Sequence, residues 1–154
     1  MHSKSPRILV IIVLASTTLL AQAPPVKMGL WEKMMTMTGG PTGTMTIKSK
    51  SCVTPDSWKE MVGNSSKPQP GCTTNLTKTS NGYSFVSSCT RPQGGTMTAK
   101  GSATIQDAEH IVGESHTTST MNGKTREMEM HSTNHFVSAS CGSVKPGDPE
   151  IEND

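Results

Sequence analysis

Apolar and polar positions alternate through most of this chain, and turn residues bound each alternating run. Gly29 to Thr38 reads as a first strand, followed by the turn cluster Gly39-Gly40-Pro41-Thr42-Gly43. In Thr44 to Ser51, Met45 and Ile47 share one face, opposite Thr46, Lys48 and Lys50. The period then changes. Thr54 is placed to cap a helix, Pro55 suits its first position, and Asp56 sits in the first turn. Trp58, Met61 and Val62 make an i, i+3, i+4 stripe that Gly63-Asn64 ends. Period-two alternation returns at Thr73–Thr79 and Tyr83–Thr90, joined at Ser80-Asn81-Gly82. Met97, Ala99, Gly101, Ala103 and Ile105 then alternate with threonines, Lys100 and Ser102. His110–Thr120, the turn Met121-Asn122-Gly123-Lys124, and Arg126–Ser140 complete the pattern. The expected fold is mainly β: an antiparallel meander of about seven strands, curved or barrel-like, with one short helix inserted after strand two. Residues 142–154 are rich in Pro, Gly and acid and are expected to form a disordered tail.

Composition adjusts this picture. The chain has 154 residues, 32% hydrophobic and 3% aromatic, enough for one domain. Thr (21) and Ser (19) are abundant, as suits the outward faces of an antiparallel sheet. Residues 1–23 read as a secretory signal peptide. Lys4 and Arg7 precede the apolar run Ile8–Leu20, and Ala21-Gln22-Ala23 offers cleavage after Ala21 or Ala23. The run is too short for a membrane span, so the expectation is a soluble bacterial protein, periplasmic or secreted, with residues 24–141 as one β-rich domain. The signal carries two of the 14 basic residues and none of the 12 acids, so the remainder is neutral. The alkaline pI therefore gives no warrant for binding nucleic acid or a membrane surface.

Export also decides how the cysteines read. Cys52, Cys72, Cys89 and Cys141 are even in number and lack a Cys-x-x-Cys pair, which points to two disulfides rather than zinc or thiol redox chemistry. If each hairpin reverses the chain, Cys89 and Cys141 fall at opposite poles, whereas Cys72 and Cys89 share one. Cys52 meets Cys141 only if the helical connection crosses from one end of the sheet to the other. The expected pairing is Cys72–Cys89 with Cys52–Cys141. It centres the hairpin between Ser80 and Asn81, which predicts a bulge or longer loop beside Gly82.

Gly29-Leu30-Trp31-Glu32, Cys52-Val53-Thr54-Pro55-Asp56, Cys72, Cys89 and a last strand running into Cys141 together resemble the exported bacterial domain of unknown function family 3617. The likeness covers roughly residues 27–142. It implies an envelope location and a β-rich domain, and it brings no catalytic residues. Ser140 stands where the family often has Gly before its last Cys.

Methionine, 11 in all, is the unusual chemical signal. Met35-x-Met37 and Met128-x-Met130, with His131 following, have the soft donors that select Cu(I). The competing reading is that methionine fills a core short of Leu and Phe. Glu127, Glu129, His131 and His135 lie on the opposite face of the last strand, as ordinary surface charges or as zinc donors. Trp31 and Phe85 are the candidate lining of a ligand cavity. Against that, Trp31 can plug one end of the sheet while Trp58 docks the helix. No Gly-x-Ser-x-Gly elbow, phosphate loop or His-Glu-x-x-His occurs, so no enzyme activity and no cofactor are expected. The expected role is a non-enzymatic module for a small apolar ligand or an envelope protein partner. The alternative is a periplasmic copper-handling protein.

Overall fold

The computed structural model describes residues 25–40, 43–65, 67, 69–92 and 94–152. The signal expected at residues 1–23 lies outside the described residues. Eight strands form one open, curved antiparallel sheet: β1 (Gly29–Gly40), β2 (Gly43–Val53), β3 (Cys72–Thr79), β4 (Gly82–Thr90), β5 (Thr96–Ile105), β6 (His110–Met121), β7 (Lys124–Ser138) and β8 (Glu150–Glu152). The helix α1 (Pro55–Ser65) follows β2. The spatial order is β3-β4-β5-β6-β7-β1-β2-β8. Strands β3 to β7 are a plain meander, and β1 enters beside β7 to carry β2 and β8 at the far side.

This order explains the helix. Strand β2 lies next to one edge of the sheet and β3 is the other edge, so the connection must cross a face. α1 makes that crossing. Its N-terminus is capped reciprocally: Ser57 N donates to Thr54 Oγ1 (3.2 Å), and Thr54 N donates to Ser57 Oγ (2.9 Å). None of its residues is buried.

Pleating sorts the side chains. One row runs Leu76, Phe85, Gly101, Ser115, Met130, Met37, Met45 across seven strands. This is the face that α1 covers. The other face carries Lys100, Glu114, His116, Glu129 and His131 in neighbouring register positions.

The tightest packing lies at one end. Trp31 is 2% exposed, meets Phe136 edge-on at 6.1 Å, and donates Nε1–H to the Lys27 carbonyl at 2.9 Å. The Lys27 ammonium stands 5.2 Å over the Phe136 ring and pairs with Glu109. Cys52 and Cys141 are bridged at this end, since β2 and β7 run in the same direction. Cys72 and Cys89 are bridged at the opposite end, where they are directly paired in register.

Three features differ from expectation. Among the described residues, the segment expected to be a disordered tail adds an eighth strand to the seven of the expected meander. The extra one lies in the acid-rich tail: Val144 is buried, Cys52 bridges to Pro146, and Lys48, Ser49 and Lys50 pair with Glu152, Ile151 and Glu150. Lys50 Nζ binds Glu152 Oε1 at 2.6 Å, so the tail's acids answer the lysines of β2. The β3–β4 hairpin has no bulge. It turns on Ser80-Asn81, with Thr79 paired to Gly82. Gly82 is needed because a Cβ there would run into the Ala103 carbonyl, not because the turn demands it. By contrast, Asn122 (φ 50°) and Gly123 (φ 72°) make the left-handed two-residue turn that their sequence predicts.

Candidate groove between the helix and the sheet

A groove of about 570 Å³ lies between α1 and the covered face of the sheet. The helical stripe supplies Trp58, Met61 and Val62, and the sheet supplies Leu76, Tyr83, Phe85, Ile105 and Ile111. Small residues deepen the floor: Ala99, Ala103 and Gly113 occupy inward positions on β5 and β6. Met61 remains 53% exposed although it borders the groove, so the helix roofs the space without filling it. Volume and apolar lining fall in the range of small-molecule sites.

The groove has a polar end. Lys33, Ser132 and Asn134 line it together, and Lys33 is opposite Asn134 in the β1–β7 register. Ser132 is 8% exposed, and its hydroxyl has no side-chain hydrogen bond among the described residues. Asn134 Nδ2 donates to the Ile111 carbonyl at 3.2 Å, which holds the amide in place and leaves its second N–H.

Of the two expected lining residues, Phe85 lines the groove and Trp31 does not. Trp31 is enclosed beside Phe136, and Trp58 takes the lining position. Lys33, Ser132 and Asn134 are not among the candidates that the sequence offers. Lys33 carried a signal: it is a charge at an inward position, alternating with Trp31, Met35 and Met37.

Met35, Met37, Met128 and Met130 share the helix-covered face. Met37 is directly opposite both Met130 and Met45, while Met35 and Met128 are one step away along their strands. His131 belongs to the other face, next in register to Glu114 and Thr36. On that face His135 Nε2 approaches Glu32 at 3.3 Å and His116 Nε2 approaches Glu127 at 3.9 Å. Among the described residues no group of three or more His, Cys, Asp or Glu is placed to hold a metal ion.

The two cysteine pairs, the β1 opening Gly29-Leu30-Trp31-Glu32 and the capped helix all fall inside one matched segment. Residues 26–141 match the family described as "Protein of unknown function (DUF3617)". The chain belongs to the DUF3617 family. No curated protein matches it. In this DUF3617 chain the groove lies wholly within the matched segment, and β8 lies beyond it. No described helix is long and apolar enough to cross a membrane.

Proposed function

We propose that this protein is an exported binding module that holds a small apolar or amphipathic molecule between α1 and the sheet. The observation that carries this reading is the groove itself. A helix with no buried residue spans a floor of glycine and alanine, and leaves Trp58, Met61, Leu76 and Phe85 facing a shared space. A helix serving only as a lid for the core would have sunk onto those small residues. Two disulfides accord with an oxidising compartment, and the signal-like leader accords with export.

The test is fluorescence titration of the chain from residue 24 onward with N-phenyl-1-naphthylamine, a neutral apolar probe. Saturable binding that weakens in Phe85→Ala and Met61→Glu is the expected outcome. Absence of binding, or binding indifferent to both changes, refutes the reading.

One observation favours a second reading, Cu(I) held by thioethers: the Met45–Met37–Met130 row, with Met35 and Met128 alongside. Copper(I) titration of Met35→Leu/Met37→Leu decides it, and undiminished binding sinks it.

A further inference from the structure

The charges of the sheet are segregated by face. In the register, Glu32, Glu114, Glu127, Glu129, Glu150 and Glu152 all fall on the face away from the helix. The helix-covered face carries Lys33, Lys78, Lys124 and Arg126 and no strand acid among the described residues. Of these four cations only Lys33 lines the groove. Glu114 also borders it. By strand alternation, though, its side chain belongs to the opposite face, where its carboxylate accepts from Ser102 Oγ at 3.4 Å beside His116 and His131.

Lys33 also differs from the other lysines of its hairpin. Lys50 is paired with Glu152 and lies 3.7 Å from Glu32. Lys33, half-buried, makes no ion pair or side-chain hydrogen bond among the described residues. A half-buried ammonium with no counter-charge loses hydration and gains nothing in return. A bound anion supplies what it lacks. The Ser132 hydroxyl and the second Asn134 N–H supply further donors at the same end. An apolar strip runs from Ile111 through Phe85 and Leu76 to Trp58 and Met61, with the uncharged hydroxyls of Ser65, Thr74 and Ser87 at its margins.

We infer that the ligand is an acidic amphiphile: a carboxylate head held by Lys33, with Ser132 and Asn134 beside it, and an alkyl tail lying along Phe85, Leu76, Trp58 and Met61. The inference rests on the groove reading above and adds the chemical class of ligand. A single cation fits a singly charged head. A phosphate monoester, carrying close to two charges, would leave one uncompensated.

Displacement of N-phenyl-1-naphthylamine separates the two readings. The competitors are laurate, dodecanol and dodecyl phosphate at pH 7.5. Wild type is expected to bind laurate roughly tenfold more tightly than dodecanol, the gain of one charge-assisted contact. Lys33→Met brings laurate and dodecanol to within about twofold of each other; Lys33→Arg retains the preference. Equal binding of laurate and dodecanol by wild type overturns the head-group assignment while the groove stands. So does a preference that survives Lys33→Met. Tighter binding of dodecyl phosphate than laurate overturns the carboxylate. Failure of the neutral probe itself to bind overturns the groove reading, which is a different result.

Discussion

The Phe85 ring lies across Gly101 of the adjacent strand: a Cβ placed on Gly101 would come within 2.7 Å of Phe85 Cε1. The same Cβ would meet the Ser115 Cβ at 2.7 Å and crowd the Glu114 carbonyl. The glycine therefore gives the ring its seat. Gly101→Ala forces the ring up toward α1, into the space a ligand would use. The expected cost is about 1–3 kcal/mol of stability, as for other overpacked sites. Urea denaturation measures it, and probe affinity should fall in parallel. Unchanged stability and affinity would mean that Phe85 has an equally good seat elsewhere.

The two disulfides differ in what they constrain. Cys72–Cys89 spans 17 residues and closes a hairpin already aligned by its strand pairs. Cys52–Cys141 spans 89 residues and ties the end of β7 to β2 across β1. In the chain-entropy account, loss of the first costs about 3 kcal/mol and loss of the second about 4.5 kcal/mol. Thermal denaturation of the Cys72→Ser/Cys89→Ser and Cys52→Ser/Cys141→Ser proteins should rank them in that order. The reverse order would show that native-state packing around the Trp31 end, not loop closure, sets the balance.

Strand alternation was legible because successive side chains of a strand point to opposite faces of the sheet. Met45 with Ile47, and Ala99 with Ala103, share the helix-side face in the structure as in the pattern, although Met45 stays 44% exposed. The helix was equally legible from Thr54 to Asn64, since its cap is local chemistry. What escaped the sequence depends on distant partners. Strand β8 is three residues with no alternation to speak of, and it exists because Lys48 and Lys50 stand opposite Glu152 and Glu150. Gly82 has the look of a turn residue beside Asn81, but its need arises from Ala103, a residue of the next strand. The groove's polar end joins Lys33 to Asn134 and Ser132, about a hundred residues later, and no local pattern reports that meeting. Trp31 and Trp58 are alike in composition, and only the crossing of α1 over the sheet assigns one to the packed end and the other to the groove.

The β8 attachment should depend on pH. The hydrogen bond from Lys50, and then its charge, hold the Glu152 carboxyl below its ordinary 4.5. The same contact raises Lys50 above its ordinary 10.5. A carboxyl lowered by folding contributes stability above 4.5 that is lost as pH falls through the folded value. An ammonium raised by folding contributes below 10.5 and loses that contribution as pH rises through its raised value. β8 is therefore expected to hold across the intervening range and to loosen on the acid side below pH 4.5, with added salt weakening it throughout. Amide exchange of Ile151 and Glu152 against pH is the measurement. Glu152→Gln should flatten the acid limb, and an identical limb in that variant would remove Glu152 as its cause.

The two tryptophans make opposite demands. Trp31 is enclosed, stacked edge-on against Phe136, and hydrogen-bonded to the Lys27 carbonyl, so Trp31→Ala opens a cavity at the packed end. Its expected cost is about 3–5 kcal/mol, with little specific effect on groove affinity in the fraction that remains folded. Trp58 is half-buried on a helix with no buried residue, so Trp58→Ala should cost no more than about 1 kcal/mol. Its loss falls instead on binding, because the indole is a wall of the groove. Single-tryptophan variants give each residue its own signal. In Trp31→Phe, the remaining Trp58 emission should shift to the blue as laurate displaces water from the groove. In Trp58→Phe, the Trp31 emission should already be blue and stay so. A laurate-dependent shift confined to Trp31 would place the ligand at the packed end of the sheet and remove the groove as its site.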